Sequence, residues 1–217
     1  MVAAMSRPTP AAAAVSAEQR LLVNGVAWKE YVILREALDT PGLRMTYLKG
    51  ALELMSPSRA HETKKTIIAR LIEAYALYLR LPLNGHGSTT FRSEAKERGA
   101  EPDECWVLGK ALEEGAYPDI VLEVIETSPL LDKLTVYDGF AVPEVWLFEK
   151  GRFSLYERSA RLPRGASHRY VKVAASSLMP QIDFALVERL SKHTDQLTAL
   201  EELAEHVPPL KAKRKRG

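Results

Sequence analysis

The stretch YPDIVLEVIETSPLLDK, residues 117–133, decides the fold. Its apolar residues predict one β-strand, and successive side chains of a strand point to opposite faces. One face therefore carries Glu123. The opposite face is uniformly apolar and is formed by Ile120, Leu122 and Val124. A carboxylate in such a strand is costly unless a cation, a backbone donor or a metal ion compensates it. The stretch therefore predicts both the centre of a sheet and a polar site.

The segments around this strand predict an α/β fold built around one mixed sheet. Two hairpins are predicted, each turning at a Lys-Gly pair, over residues 45–55 and 143–158. The clearest helix is predicted over residues 57–79, where apolar side chains recur with a period of 3.6. Two shorter helices are predicted over residues 130–141 and 194–207. Asp119 opens the central strand after Pro118, and we expect it to cap a turn.

Length and composition indicate one globular domain with two tails. The chain has 217 residues, of which 46% are hydrophobic and 27% charged. We assign residues 1–18 to a disordered Ala/Pro-rich segment, 19–207 to the domain and 208–217 to a basic tail. No apolar run approaches the roughly 20 residues of a membrane span. The single cysteine, Cys105, excludes an internal disulfide, so a reducing cytoplasm is the expected compartment.

The net charge of +2 conceals an uneven distribution. Five of the 30 basic residues lie in KAKRKR, residues 211–216, which leaves 25 basic against 28 acidic residues in the rest of the chain. The tail could hold a polyanion such as DNA through counterion release. It could equally be a solubilising end without a partner.

Five short motifs resemble the Uma2 family of predicted endonucleases, and they occur in the expected order. They are YLKGALELMSPSRAHE (47–62), EPDECWVLG (101–109), YPDIVLEVIETS (117–128), DKLTVY (132–137) and VPEVWLFE (142–149). The resemblance spans roughly residues 28–190. It implies a restriction-endonuclease-like mixed β-sheet flanked by helices, similar to the PD-(D/E)xK nuclease superfamily.

The resemblance also implies an active site where carboxylates hold Mg²⁺ or Mn²⁺ against a phosphodiester. Asp103 matches the Asp of the Pro-Asp motif, and Glu123 matches the Glu of the next strand. The superfamily's lysine is expected two residues after that Glu, where this chain has Ile125. Lys133 matches instead a lysine on the following helix, four residues before Tyr137.

Glu53 and His61 are further candidates for this site. Glu53 alternates with Leu52 and Leu54, so it lies on the solvent side of an edge strand or, as the resemblance implies, acts as a third metal ligand. His61 opens the long helix, where free backbone amides favour anions such as phosphate. It could equally be a surface or capping residue. Lys65 stands where a zinc-protease motif needs its second His, which excludes that class.

Carboxylates and a lysine in one place are typical of metal-dependent phosphodiester hydrolysis. A divalent cation offsets the charge that develops on the phosphoryl oxygens and lowers the pKa of a bound water. Mg²⁺ prefers carboxylate oxygens and keeps several waters, so two or three carboxylates suffice. We therefore predict a Mg²⁺- or Mn²⁺-dependent endonuclease acting on DNA. Its predicted metal ligands are Asp103, Glu123 and Glu53, and its further predicted catalytic residues are Lys133 and His61.

Two other functions stay open at the level of sequence. The first is a nuclease fold that has lost cleavage and acts as a nucleic-acid-binding or interaction module, which Ile125 and the slightly acidic body favour. The second is a metal-dependent hydrolase of another substrate, since carboxylates alone do not define one. Glu123 could also form only a buried ion pair with Lys133. A homodimer is common among such nucleases.

Overall fold

The computed structural model of the protein describes residues 17–40, 42–109 and 112–207. Its α-helices are α1 (Trp28–Ala37), α2 (Arg59–Leu79), α3 (Lys133–Phe140), α4 (Phe184–Leu190) and α5 (Gln196–His206). Its strands are β1 (Gln19–Asn24), β2 (Arg44–Leu48), β3 (Ala51–Ser56), β4 (Leu83–Gly85), β5 (Phe91–Ser93), β6 (Arg98–Ala100), β7 (Glu104–Leu108), β8 (Ile120–Ile125), β9 (Glu144–Glu149), β10 (Arg152–Arg158) and β11 (Tyr170–Val173). A 3₁₀ turn covers Glu94–Lys96.

The strands form two sheets. The first sheet is antiparallel, with the order β1-β3-β2-β6-β5. The second has the order β11-β10-β9-β8-β7-β4, and β8 and β9 are parallel while its other pairs are antiparallel. The predicted α/β class and mixed sheet are thus confirmed, but the expectation of one sheet is wrong. The last change of sheet along the chain lies between Ala100 and Glu104, at Pro102, which has no amide hydrogen to continue a ladder.

Both predicted hairpins are confirmed. Lys49 and Gly50 have φ angles of 47° and 87°, and Lys150 and Gly151 have φ angles of 51° and 79°. Two consecutive positive φ angles are the geometry of a two-residue type I′ turn, whose twist matches that of the flanking strands. Glycine at the second position adopts this conformation without steric cost.

Helix α2 begins two residues later than predicted and places His61 in its first turn. Ser58 is the N-cap, and its side chain accepts a hydrogen bond of 3.0 Å from the His61 amide. The helix ends at Arg80, which adopts a left-handed conformation. The predicted apolar face is buried and includes Ile68 and Leu71.

The sequence interpretation is less accurate where strands are short. The interval between α2 and β8 contains four strands, β4 to β7, and the first three of them have only three residues each. A strand of three residues shows too little alternation to be distinguished from a loop. Helix α5 is confirmed, whereas α4 was not predicted.

The two faces of β8 pack against different layers, as its alternation predicts. Ile120, Leu122 and Val124 lie in a core with α2, α4 and α5. Val121 lies in a second core with α3 and residues of β5 and β6. The Glu123 face is therefore covered by α3 and by the first sheet, so the carboxylate lies at the junction of the two sheets.

The ends of the chain are described only in part. Glu18, inside the predicted N-terminal segment 1–18, is buried, so the folded part begins before residue 19. The rest of that segment up to residue 16, and the basic tail 208–217, lie outside the described residues. Within the described ranges, no helix has the length and apolarity needed to cross a bilayer.

We predict that Leu71→Ala lowers the free energy of unfolding by about 2–5 kcal/mol, because Leu71 is fully buried in the larger core. Leu77→Ala, on the same helix, is the matched control and should cost less than about 0.5 kcal/mol, since Leu77 is 71% exposed. Urea denaturation measures both values. Equal costs for the two variants would contradict the assigned packing of α2.

Candidate active site

Asp103 and Glu123 lie side by side where β7 meets β8. Glu104 pairs with Leu122 in the antiparallel ladder, so Asp103, one residue before β7, lies across from Glu123. Facing residues of an antiparallel pair have Cβ atoms about 4.5–5.5 Å apart. The Asp103 Oδ2 atom accepts a 2.7 Å hydrogen bond from the amide of Val124, which closes the end of the ladder. The structure thus brings the two predicted carboxylates together.

Lys133 and Tyr137 reach Glu123 from the first turn of α3 and the turn after it. The Lys133 Nζ atom lies 3.1 Å from Glu123 Oε1, and the Tyr137 hydroxyl donates a short hydrogen bond to the same oxygen. Lys133 Nζ also donates to Thr46 Oγ1 of β2, at 3.1 Å. Residues four apart share one face of a helix, which explains why the Lys-Tyr spacing delivers both groups to one carboxylate.

His61 is fully buried between two carboxylates. Its Nε2 atom lies 2.9 Å from Asp103 Oδ1, and its Nδ1 atom lies 2.9 Å from Glu18 Oε2. The Nε2 contact is a hydrogen bond, whereas the Nδ1 contact is close but lacks hydrogen-bond geometry. Burial by itself lowers the pKa of His61, but the hydrogen bond and charge of Asp103, together with Glu18, raise that pKa above its ordinary value.

Glu53 is buried but contacts neither Asp103 nor Glu123 directly among the described residues. Its Oε1 atom pairs with Arg20, and its Oε2 atom accepts hydrogen bonds from the amides of Leu130 and Leu131, at 3.1 and 2.9 Å. The Oε2 atom thereby holds the loop that leads into α3, and the Oε1 atom holds Arg20 of β1. The expectation of a solvent-facing position for Glu53 is therefore wrong, and its role as a third metal ligand stays a prediction.

Glu18 and Arg20 complete the arrangement, and sequence reasoning missed both. Arg20 lies between two carboxylates, since its Nη2 atom is 2.9 Å from Glu18 Oε1 while its Nη1 atom pairs with Glu53. Thr127, after β8, donates from its amide to Glu18 Oε1 at 3.3 Å. The sequence signal for this pair is that Glu18 and Arg20 are two residues apart. Side chains at that spacing lie on the same face of a strand.

These side chains form what we call the buried charge cluster. Its members are Glu18, Arg20, Glu53, His61, Asp103, Glu123 and Lys133. Each is at least nine-tenths shielded from solvent in its side chain. Four carboxylates face three basic groups, so the ionised cluster keeps an excess of negative charge even with His61 protonated. A buried excess of this kind favours binding of a proton or of another cation.

The pKa values of the two central carboxylates are driven in opposite directions. Burial raises the pKa of Glu123, and the charge of Asp103 raises it further, against the opposing effect of Lys133. Burial also favours neutral Asp103, but the hydrogen bond and charge of His61 outweigh it and lower the Asp103 pKa. Burial and Glu123 raise the pKa of Tyr137 well above its usual value, which keeps the phenol a neutral donor.

The acids at either end of β8 lie outside this cluster. The Asp119 Oδ2 atom accepts a 2.8 Å hydrogen bond from the amide of Leu108 at the end of the neighbouring strand β7. Glu126 pairs with Lys64 of α2 near the surface. Of these three acids, Glu123 is therefore the one that belongs to the buried charge cluster.

Asp103 and Glu123 offer the donor set that Mg²⁺ requires. Within the described ranges, no group of three or more His, Cys, Asp or Glu side chains is placed to hold a metal ion. Mg²⁺ is usually bound through one or two carboxylates, with waters and substrate phosphates completing its shell, rather than by an all-protein cage. Two adjacent carboxylates within a cluster of excess negative charge fit this mode of binding.

The chain belongs to the Uma2 family. That family, described as "Putative restriction endonuclease", matches residues 28–186. The match confirms the resemblance seen in the five motifs and assigns the chain to a nuclease class.

Solved structures that are similar to the chain include a nuclease-like protein. A crystal structure of "a putative nuclease belonging to DUF820" from Anabaena variabilis ATCC 29413 is similar, with 14% sequence identity and a TM-score of 0.44. The similarity covers 78% of this chain and 98% of that chain. No curated protein matches the chain.

We predict that Arg20→Met lowers the free energy of unfolding by about 3–5 kcal/mol, because it leaves Glu18 and Glu53 buried without their cation. Arg152→Met is the control, since its side chain is 79% exposed in a surface pair with Glu188 and should cost less than about 1 kcal/mol. Urea denaturation compares the two. A cost for Arg20→Met no larger than that of the control would show that the cluster does not hold the sheets together.

Proposed function

We propose that the protein is a Mg²⁺- or Mn²⁺-dependent endonuclease that hydrolyses phosphodiester bonds of DNA. The observation that carries this proposal is the position of Lys133 Nζ, 3.1 Å from Glu123 Oε1, while Asp103 faces Glu123 across the β7–β8 ladder. Two acids and a lysine are thereby combined although position 125 is Ile. Membership of the Uma2 family supports the nuclease class.

Asp103 and Glu123 would hold the metal ion. When bound, the ion supplies positive charge to the phosphodiester and lowers the pKa of a coordinated water. The contacts that Glu123 makes with Lys133 and Tyr137 both end on Oε1, so its Oε2 atom is the oxygen we assign to the metal. Sharing of one ion by the two carboxylates requires their oxygens to approach within about 4–5 Å.

Lys133 is the residue we assign to the reacting phosphate. An ammonium group has three N–H donors, and contacts with Glu123 and Thr46 account for two of them. The third can donate to a phosphoryl oxygen or to the attacking water, where developing negative charge makes the contact stronger.

The other members of the cluster act as positioning residues in this proposal. His61 fixes the orientation of the Asp103 carboxylate through its 2.9 Å contact. Glu53, held by Arg20, fixes the loop before α3 and hence the place of Lys133. This assignment replaces direct catalytic roles for His61 and Glu53 with indirect ones.

We predict that Glu123→Gln and Lys133→Met each reduce Mn²⁺-dependent nicking of supercoiled plasmid by about 10²–10³-fold, because each removes a charge at the reacting phosphate. Glu149→Gln is the matched control, since that carboxylate lies at the exposed end of the adjacent strand β9. Circular dichroism checks that each variant remains folded. Nicking at the wild-type rate by both folded site variants would refute the proposal.

We also predict that Mn²⁺ binds the wild-type protein and that Asp103→Asn and Glu123→Gln each weaken binding at least about tenfold, because Mg²⁺ and Mn²⁺ favour ionised carboxylate oxygens. Calorimetric titration measures the affinity without any substrate. Absence of Mn²⁺ binding by the wild type would support instead a family member that has lost cleavage.

A further inference from the structure

A basic cavity of about 360 Å³ lies beside α3, outside the buried charge cluster. It opens between the 3₁₀ turn, the β2–β3 turn, α3 and β10. Its basic side chains are Lys49, Lys96, Arg98, Arg158 and Arg169, and its acidic side chains are Glu97 and Asp138. Basic groups exceed acidic ones by three, which contrasts with the slight net negative charge of the chain before its basic tail.

Two of the basic side chains are engaged within the protein. The Arg158 Nε atom pairs with Asp138 Oδ1 at 2.8 Å. Arg98 packs across α3 and donates from Nη1 to the carbonyl of Thr135. Position 139 must be glycine for this packing, because a Cβ atom there would lie 2.1 Å from the Arg98 Cδ atom.

The excess positive charge of the cavity lies on three exposed side chains, those of Lys49, Lys96 and Arg169. All three are exposed, and among the described residues none of their side chains pairs with a carboxylate. Three unneutralised cations around a concave surface create a positive potential that attracts phosphate groups. The cavity is therefore suited to an anion rather than to an apolar or cationic ligand.

The position of the cavity relates it to the candidate active site. Asp138 lines the cavity five residues after Lys133 on α3, which corresponds to about 7–8 Å along a helix. Lys49 lies three residues after Thr46, the partner of Lys133, which corresponds to about 10 Å along a strand. Phosphates of one DNA strand recur about every 3.4 Å along the helix axis. The cavity thus lies close enough to Lys133 for a strand whose scissile phosphate is held there to place neighbouring phosphates at the cavity.

We propose that this cavity, through its three exposed cations, binds backbone phosphates of the nucleic-acid strand close to the scissile bond. The inference rests on the proposed function for the position of the scissile phosphate. Contacts of this kind supply affinity and register but carry no sequence information. Arg98 links the two sites, because it lies against the helix that presents Lys133.

The test uses the full-length protein and a fluorescent 20-base-pair duplex in EDTA, so that no cleavage accompanies binding. The triple variant Lys49→Asn, Lys96→Gln and Arg169→Gln removes the three exposed cations. The control triple variant, with equal charge change, is Lys150→Asn, Arg152→Gln and Lys192→Gln. Lys49 and Lys150 are matched closely, since each is the first residue of a type I′ Lys-Gly turn.

We expect the cavity variant to bind at least about tenfold more weakly than wild type at moderate salt. We expect its slope of log affinity against log salt to fall by about 2–3, since each lost phosphate contact contributes about 0.9. Arg169→Gln alone should lower the slope by about 0.9. The control triple variant should retain the wild-type slope.

Several outcomes overturn the inference. They are an unchanged slope in the cavity variant, an equal fall in the control variant, and no binding of the duplex by the wild type. Binding and nicking are measured separately, so the two proposals can fail separately. A reduced slope together with no Mn²⁺-dependent nicking would support the phosphate site and reject hydrolysis, and active nicking with an unchanged slope would do the reverse.

Discussion

Charge compensation at the junction of the two sheets is the constraint on which the rest of the structure depends. Glu18 and Arg20 come from the start of the first sheet, Glu53 from its strand β3, and Asp103 and Glu123 from the second sheet. His61 and Lys133 enter from the beginnings of α2 and α3. Each buried charge is tolerated only because a partner from another element lies within reach. The cluster therefore fixes the relation of the sheets as well as the geometry of the site.

The excess negative charge of the buried charge cluster affects both the stability of the fold and the chemistry of the site. Asp103 is held ionised by His61, whereas burial and its acidic neighbour favour protonation of Glu123. A proton or a divalent cation can therefore neutralise the same carboxylate. Burial and the negative charge of Asp103 raise the free energy of ionised Glu123. In the proposed enzyme, the same two features favour binding of a metal ion by Glu123. Without an ion, such a site bears the free-energy cost of a buried excess negative charge. Binding of a divalent cation removes that cost.

Local patterns were sufficient to predict the central parts of this molecule. The alternation in β8, the Lys-Gly turns and the apolar period of α2 are each contained within one segment, and the structure agrees with each. The Uma2 resemblance placed Glu123 and Lys133 in one site, and an ion pair between them was one of the alternatives that the sequence left open. The contacts of Glu18 were not predictable, because its partners His61 and Thr127 lie 43 and 109 residues away along the chain. The division into two sheets was missed for a related reason, since it depends on which strands pair across long intervals rather than on any one segment.

The buried charge cluster includes residues at the start of the first sheet, which matters when a fragment of the protein is prepared. The family match begins at residue 28, whereas Glu18 and Arg20 precede it and β1 is an edge strand. A recombinant fragment trimmed to the matched region would retain every group assigned to the phosphate and the metal. It would nevertheless lack the arginine that neutralises Glu53 and the acid that pairs with His61. An inactive or insoluble fragment of that kind would reflect the loss of its first strand, not the chemistry of the full-length protein.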